Sequence, residues 1–297
     1  MKHLISFILL LGISSFLLCF TESDYRIYHT KTKKYIKLNQ LVKEAQKADV
    51  LFFGELHDDS LMHYVEFELL KAFHQKNKKI AVSMEMFERD TQIIIDEYFQ
   101  NKMEKAEFLQ RSRAWPNYMT DYKAIVEYSK SNRIPFIAAN VPRYIASMVN
   151  KKGIAILDSL SVEEKKWVAK KIHIEDGPYK NKFYQLMNSG MSMTGSHPMI
   201  SESMLYKLFS AQCVKDDTMA ESISVYLEKN PGFKIIHYNG DFHSQYRLGT
   251  VERLDKKYKA VVISPLIKEK GEALNINPND DTSIADYILI QYRHQNK

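Results

Sequence analysis

The stretch VLFFGELHDD, residues 50–59, decides the fold class. Four apolar residues lead into Gly54, and a helical pattern of apolar side chains follows at about 60–75. A short apolar run that ends at a glycine before a helix is typical of a buried strand in a βα unit. Titratable side chains then crowd the point where this strand ends: Glu55, His57, Asp58 and Asp59.

The same alternation continues along the chain. Further strand patterns lie at about 80–86, 134–139, 233–239, 259–264 and 285–292. Continuous apolar strands separated by helices predict a parallel sheet that is buried on both faces. The sequence therefore predicts an α/β fold, a mostly parallel sheet with helices on both faces.

One region interrupts the alternation. Residues 155–230 contain two or three helical patterns and no convincing strand, which predicts a helical cap or insertion. The α/β core then consists of a first part at 20–154 and a second part at 231–297. No internal repeat or long linker separates these parts.

Composition excludes some classes of function. A chain of 297 residues with 45% hydrophobic content is long enough to bury one substantial core. Its 42 Lys and Arg residues against 36 Asp and Glu residues give a formal charge of +6, but the basic residues are dispersed in short groups. Since nucleic-acid binding requires a basic stripe with base-stacking aromatics, we expect no nucleic-acid partner.

The N-terminus indicates export. An uncharged apolar stretch at 4–20 follows a short basic start, as in a signal segment, although an uncleaved membrane anchor is the alternative. Cys19 closes this stretch in the manner of a bacterial lipoprotein signal, but Leu18 stands where a small residue normally precedes the cysteine. We expect residues 1–19 to be a lipoprotein-type signal and the protein to be membrane-anchored, on the periplasmic side or elsewhere in the cell envelope. Only Cys213 would remain as a free thiol, so no internal disulfide is expected.

Polar residues follow several predicted strands. In open α/β sheets, functional side chains gather at the carboxyl ends of the strands. The residues expected there are Glu55, His57, Glu85, Arg143, Asp241 and His243. Imidazole and carboxylate groups suit a divalent metal, and they also suit acid–base chemistry without metal. A helix cap or an exposed turn would explain any one of them, but agreement among four strand ends favours a functional cluster.

Seven blocks of this sequence together resemble a known protein family. They are GELHDD, SMEMFERD, WPNYMTDY, IPFIAANVPR, SHPM, AQCVKDDTMAESI and NGDFHSQYRLGTV, in this order over about 50–251. Together they resemble the ChaN family of bacterial haem-binding lipoproteins in the Tiki superfamily. The resemblance implies haem binding for iron uptake at the cell envelope, with an outer-membrane haem or iron receptor or transporter as a possible partner. It also implies a tyrosine ligand to the haem iron, a haem-linked homodimer whose second monomer completes the pocket, and His and Lys side chains that meet the propionates.

The tyrosine ligand must be chosen among 18 tyrosines. The run at 115–122 places Tyr118 and Tyr122 four residues apart, on one face if the following helix begins there. These two are the leading candidates, and Tyr144 and Tyr179 come next. For each of them, packing of the ring in the core is the alternative.

The segment MNSGMSMTGSHPM, residues 187–199, predicts a second contact with haem. His197 is the candidate propionate donor, and Lys207 is its candidate basic partner. Lys170, Lys171 and Lys180 are alternatives to Lys207. Thioether and imidazole ligands also suit Cu(I), so a periplasmic copper binder is a second interpretation of this segment, and a flexible Met-rich hinge is a third.

The wider superfamily includes hydrolases with GE-x-H-like and GD-x-H-like loops, and both loops are present here. The sequence contains no G-x-S-x-G elbow and no H-E-x-x-H helix, so a hydrolase would depend on metal or on an activated water. His63 is interpreted as a residue of the following helix rather than as a ligand. The main prediction is a haem-binding protein, more a binding protein than an enzyme.

Overall fold

The computed structural model describes residues 20–192 and 201–295, with side chains described up to residue 189 in the first range. The predicted signal segment with Cys19 and the Met-rich residues 193–200 with His197 lie outside the described residues. Predictions that rest on those residues stay predictions.

The strands form a single eight-stranded sheet. They are β1 (Tyr25–His29), β2 (Lys34–Ile36), β3 (Val50–Glu55), β4 (Ile80–Glu88), β5 (Phe136–Asn140), β6 (Lys234–Gly240), β7 (Ala260–Lys268) and β8 (Tyr287–Tyr292). Their order across the sheet is β2-β1-β8-β7-β3-β6-β4-β5. All pairs from β8 to β5 are parallel, and β1 pairs antiparallel with both β2 and β8.

Helices connect the strands. They are α1 (Leu38–Ala45), α2 (Ser60–Lys76), α3 (Gln92–Phe99), α4 (Lys105–Arg111), α5 (Lys123–Ser131), α6 (Arg143–Lys152), α7 (Pro178–Ser192), α8 (Glu202–Lys229) and α9 (Thr250–Arg253). Between β5 and β6, the described residues contain helices and turns but no strand. Within the described ranges, no helix has the length and apolarity needed to cross a membrane.

Alternate residues of the central strands pack against helices on opposite faces of the sheet. Leu51 and Phe53 of β3 belong to the core that includes α1, α2 and α5, whereas Phe52 packs with Ile223 and Leu227 of α8. Every residue of β3 and β4 is buried. A strand that is buried on both faces has a continuous apolar sequence, and this explains the apolar runs from which the strands were predicted.

The α/β fold class predicted from the sequence is confirmed. The antiparallel hairpin of β1 and β2 was not predicted, because both strands are short and only Tyr25 and Ile27 of β1 are buried. Two separate helices, α3 and α4, lie between β4 and the turn before α5. Asn101 adopts a left-handed backbone conformation (φ 58°) directly after α3, which ends the helix.

The order of connections places three strand ends side by side. The chain passes from β3 to β4 and β5, and later returns to insert β6 between β3 and β4. A crevice therefore forms at the carboxyl ends of these strands, where open α/β sheets bind their ligands. In the register of this pairing, Glu55 of β3 lies opposite Gly240 of β6.

This arrangement requires a residue without a side chain at position 54. A Cβ atom at Gly54 would lie 2.3 Å from Asp241 Oδ1 and 3.0 Å from Asp241 Cα. We expect Gly54→Ala to lower the free energy of unfolding by about 1–3 kcal/mol, because the loop after β6 must move to admit the methyl group. Urea unfolding of the purified variant measures this loss.

Gly177→Ala is the matched control, since a Cβ atom at Gly177 meets no other atom within 4 Å. Its free energy of unfolding should stay within about 0.5 kcal/mol of the wild-type value. Equal midpoints for the two alanine variants would contradict the close approach of Asp241 to β3.

Candidate functional site

Glu55 lies at the centre of the first polar cluster. Its carboxylate is only 1% exposed at the end of β3. Oε1 accepts a hydrogen bond from the Tyr122 hydroxyl (2.8 Å) and lies 2.6 Å from His57 Nδ1. Two sequence blocks, GELHDD and WPNYMTDY, thus meet at one carboxylate.

The charge of Glu55 is stabilised from more than one side. Burial alone would raise the pKa of its carboxyl group, but the charge of His63 and the hydrogen bond with His57 outweigh burial and hold that pKa below its usual value. Burial would lower the pKa of His57, but the hydrogen bond and charge of Glu55 raise it above its usual value. His57 and Glu55 are therefore a histidine–carboxylate pair, of which only the imidazole reaches solvent, with 41% of its side chain exposed.

His63 lies on α2, as predicted, yet it belongs to this cluster. Its Nδ1 atom is 2.9 Å from Glu66 Oε2 and 3.7 Å from Glu55 Oε2. Burial and repulsion by Glu55 raise the pKa of Glu66, which favours its neutral form. Among the described residues, Glu55, His63 and Glu66 form a group whose ligand atoms all lie within 4.8 Å of one another, close enough to hold a metal ion.

His243 lies at the centre of the second polar cluster. Its Nδ1 atom is 2.7 Å from Asp216 Oδ1, and its Nε2 atom is 3.2 Å from Glu85 Oε1. Asp216 also accepts hydrogen bonds from Tyr179 and Thr250. The imidazole is thus fixed between two buried carboxylates, one from α8 and one from β4.

These two carboxylates keep His243 charged. Burial would lower its pKa, but Glu85 and Asp216 raise it to about 10. The same interaction holds the pKa values of Glu85 and Asp216 below their usual ranges, against the effect of burial. The charge of His243 therefore contributes stability that is fully present at pH ~6.5 and is lost as the pH rises towards 10, whereas the contribution of the two carboxylates is lost as the pH falls through their lowered pKa values.

The two clusters meet at Gly240. A Cβ atom there would lie 2.8 Å from His57 Nε2 and 3.6 Å from Glu85 Oε2. The Gly240 amide donates a 2.7 Å hydrogen bond to Glu85 Oε2. His57, Glu85 and His243 then line a common cavity of about 240 Å³.

Cationic side chains lie at the mouth of this cavity. Arg143 is exposed, with its guanidinium 6.0 Å from the centre of the Trp115 ring, and Lys215 lines the cavity from α8. Arg143 Nε is 3.9 Å from Glu88 Oε1. An acid–base pair, buried carboxylates and surface cations thus surround one small polar space.

Asp241 faces the other side of His57. It lines a second cavity of about 410 Å³ together with His57 and Leu186. Burial raises the pKa of Asp241 to about 7.

The structure thus brings five of the predicted strand-end residues together around two adjacent cavities, with Arg143 at the rim. In the described residues, however, His57, Glu85, Asp241 and His243 do not form a group close enough to share one metal ion.

The predicted tyrosines have different surroundings. Tyr118, Tyr122 and Tyr179 are buried, and burial raises the pKa of each phenol above its usual value. Tyr144 is 42% exposed, but burial of its hydroxyl and a hydrogen bond to Glu164 raise its pKa to about 12. All four phenols therefore favour the protonated form.

The tip of the α7–α8 pair, at residues 180–184 and 204–207, presents a different surface. Met204 and Tyr206 are each more than 40% exposed. The Lys180 ammonium lies 5.3 Å from the centre of the Tyr184 ring and 5.9 Å from that of Tyr206. We call these residues the α7–α8 tip.

The predicted lysines are spread over the molecule. Lys207 is partly exposed on α8, directly after Tyr206, and Lys180 bonds to Asp176 (2.5 Å). Lys171 is exposed, and Lys170 lines a separate groove beside β5. Lys207 and Lys180 are thus the predicted lysines that lie on the helices of the α7–α8 tip.

Sequence reasoning missed several members of the site. Asp216, Gln212 and Lys215 come from α8, and Glu66 comes from α2. One signal could have found Asp216: it lies on the buried face of α8 between Cys213 and Ala220, at helical spacing, where an unpaired acid would be costly. Single-sequence patterns do not show which tyrosines are exposed, so the exposure of Tyr206 was not predicted.

The comparisons with known structures agree with this fold. ChaN of Campylobacter jejuni, described with cofacial haem binding, matches with a TM-score of 0.66 at 20% identity, over 90% of this chain and 96% of that chain. A type III effector matches with a TM-score of 0.48 at 11% identity, over 87% of this chain and 94% of its own. An erythromycin esterase in its open conformation matches with a TM-score of 0.47 at 11% identity, over 91% and 83%. At these identities the likeness to ChaN shows a shared fold, and the two weaker matches carry no functional argument.

No curated protein matches this chain in sequence. Residues 41–254 match the family model described as haem-binding uptake, Tiki superfamily, ChaN. This match spans most of the chain and confirms the family resemblance of the seven sequence blocks. The protein therefore belongs to the ChaN family of the Tiki superfamily, the haem-binding uptake family.

Proposed function

We propose that this protein binds ferric haem at the α7–α8 tip and serves haem and iron uptake as a homodimer in the bacterial cell envelope. Membership of the haem-binding uptake family supports haem as the ligand. The observation that carries the site is the exposure of Met204 and Tyr206 at the start of α8, where the Lys180 ammonium of α7 lies 5.9 Å from the centre of the Tyr206 ring. Exposed apolar groups concentrated in one place are typical of a binding surface.

The residues of the tip fit the chemistry of haem. Haem presents two apolar faces, an iron atom and two carboxylates, and when bound it supplies ferric iron that a phenolate can ligate. Tyr206 is exposed, and its hydroxyl makes no hydrogen bond within the described part of the chain. Lys180 places a positive charge beside this ring, which must become an anion to ligate iron.

Tyr206 is more accessible to solvent than three of the four tyrosines that the sequence favoured. Tyr118, Tyr122 and Tyr179 are at most 4% exposed, so a porphyrin cannot reach their hydroxyls without opening the core. Tyr144 is accessible, but its hydroxyl is bonded to Glu164. We therefore propose Tyr206 as the iron ligand and keep Tyr144 as the alternative.

The propionates need positive or hydrogen-bonding partners. Lys207 follows Tyr206 directly and makes no ion pair among the described residues. His197 lies outside those residues, in the segment that joins α7 to α8. We propose that Lys207 and His197 meet the propionates, as the sequence predicted.

We propose that the same surface is shared by two copies of the chain in a homodimer. A tip with only a few exposed apolar side chains covers one face of a porphyrin, so a second copy is proposed to cover the other face. Cofacial haem binding, described for ChaN of Campylobacter jejuni, supports this arrangement. Binding to the dimer alone would link haem to dimerisation by mass action.

Export and lipid attachment at Cys19 complete the proposal. The apolar segment before Cys19 supports both. An outer-membrane haem or iron receptor or transporter is the proposed partner.

A second candidate function is hydrolysis by an activated water, and one observation favours it. The imidazole of His57 is oriented by buried Glu55 and opens onto both strand-end cavities. A histidine held in this way is the usual form of a general base. The neighbouring His243, which is held charged, would stabilise an anion rather than accept a proton.

Titration with ferric haem tests the first proposal. The purified wild-type protein should give a saturable absorbance change with the charge-transfer band of phenolate-ligated iron. Tyr206→Phe should abolish this band because it removes the iron ligand, whereas Tyr35→Phe, at a tyrosine of similar exposure on β2, should keep it. Size-exclusion chromatography of the same samples should show a dimer that forms or strengthens with haem.

A second pair of variants tests the proposed apolar contact between haem and the α7–α8 tip. Met204→Glu should weaken haem binding, because it places an anion on the proposed apolar contact, while Ile93→Glu, at an exposed residue of α3, should not. Loss of the band in Tyr144→Phe and its survival in Tyr206→Phe would reassign the ligand. A dimer fraction that is unchanged by haem would contradict the shared pocket.

Fractionation of cells tests the lipid anchor. We expect the wild-type protein in the membrane fraction and Cys19→Ser in the soluble fraction, because the serine variant has no thiol for lipid attachment. Cys213→Ser is the matched control and should stay with the membrane, since Cys213 is buried in the folded domain. Equal membrane retention of Cys19→Ser would contradict lipidation at this position.

Histidine NMR titration tests the acid–base pair. His57 should titrate above its usual pKa of about 6.5, because the interaction with Glu55 outweighs burial. Glu55→Gln removes that negative charge, so the pKa of His57 should fall, and any hydrolysis that uses His57 as a base should extend to lower pH. An unchanged titration of His57 in Glu55→Gln would contradict the pair.

A further inference from the structure

A further groove, separate from the strand-end cavities, lies along the free edge of the sheet at β5. It has a volume of about 810 Å³ and is lined by β5 and by residues of α3 and α8. Volumes of this size are typical of pockets for small organic ligands. Neither haem binding at the α7–α8 tip nor chemistry at His57 uses this groove.

The floor of the groove is apolar. Phe99 and Phe136 line it beside Ile134, and Val225, 38% exposed, lines it from α8. An uncovered apolar floor between a strand and two helices favours a ligand with an apolar body.

Positive charge surrounds this floor. Six lining side chains are cationic and two are acidic. Arg89 pairs with Glu221 (2.9 Å), Lys130 lies over the Tyr98 ring, and Lys166 pairs with Glu163. Asp96 accepts a hydrogen bond from Gln92. The remaining cations, Arg133, Lys170 and Lys229, make no ion pair with the described residues.

The edge of β5 is closed to an added strand. The Gln92 side chain donates a 2.9 Å hydrogen bond to the Phe136 carbonyl and accepts a 2.7 Å hydrogen bond from the Ala138 amide. It thus occupies the backbone groups that an extended peptide would need for β-sheet pairing. The groove therefore suits a small ligand better than a peptide strand.

We propose that this groove binds a long-chain fatty acid, with the alkyl chain on the Phe99–Phe136–Val225 floor and the carboxylate at the Arg133 and Lys229 side chains, near the start of β5 and the end of α8. An apolar chain matches the floor, and a single carboxylate matches cations that have no partner of their own. This site is separate from the proposed haem site and does not depend on it.

Fluorescence titration with dansylaminoundecanoate, below its micelle concentration, tests the proposal on the purified protein. We expect saturable binding that oleate displaces, and no binding of the methyl ester of the same probe. The double variant Arg133→Glu with Lys229→Glu should weaken binding by about tenfold or more, the size expected when two exposed cations beside a carboxylate are reversed. Val225→Glu should abolish binding, because it places a charge on the floor.

Lys31→Glu with Lys43→Glu is the matched control, since it makes the same change of net charge at exposed lysines outside the groove. It should bind the probe like the wild-type protein, and the groove variants should keep the wild-type circular dichroism and haem titration. Absence of saturable binding, equal binding of the methyl ester, or equal weakening in both double variants would overturn the proposal. Stoichiometric displacement of the probe by haem would overturn it as well, since the groove would then be a haem site.

Discussion

The pairing of β3 with β6 is the constraint on which the rest of the site depends. It sets Glu55 opposite Gly240 and lets Asp241 pack directly over Gly54. A shift of one residue would exchange the two faces of β3 and carry its end away from the neighbouring loops. The two glycines thus allow two polar loops to lie against each other, and both histidine clusters follow from that contact.

Buried charge at the strand ends is balanced within each cluster. Glu55 is stabilised by two histidines and a tyrosine, and His243 by two carboxylates. Removing one member would leave its partner charged and buried, which is strongly destabilising. His57 is the member of these pairs whose ring is substantially exposed, so acid–base capacity at the sheet is concentrated there, whereas the proposed haem surface lies on the α7–α8 tip.

The sequence indicated the central fold well and the site in part. Continuous apolar strands such as 50–55 and 80–88 carried enough information for the parallel sheet, and the rule that strand ends converge found five residues of the two cavities. It missed Asp216, because the helical spacing of this acid with Cys213 and Ala220 indicates burial but not its partner His243, which lies 27 residues away in the sequence. Nor could it rank the tyrosines: Tyr122 and Tyr206 differ in burial, a property of tertiary packing that no local spacing encodes.

A crystal structure of the protein grown with ferric haem would locate the ligand directly. We expect haem on the α7–α8 tip, with iron bonded to the Tyr206 oxygen, its second face covered by another copy of the chain, and Tyr122 still hydrogen-bonded to Glu55. Haem seated in the strand-end cavities, with His57 or His243 as the iron ligand, would contradict this expectation.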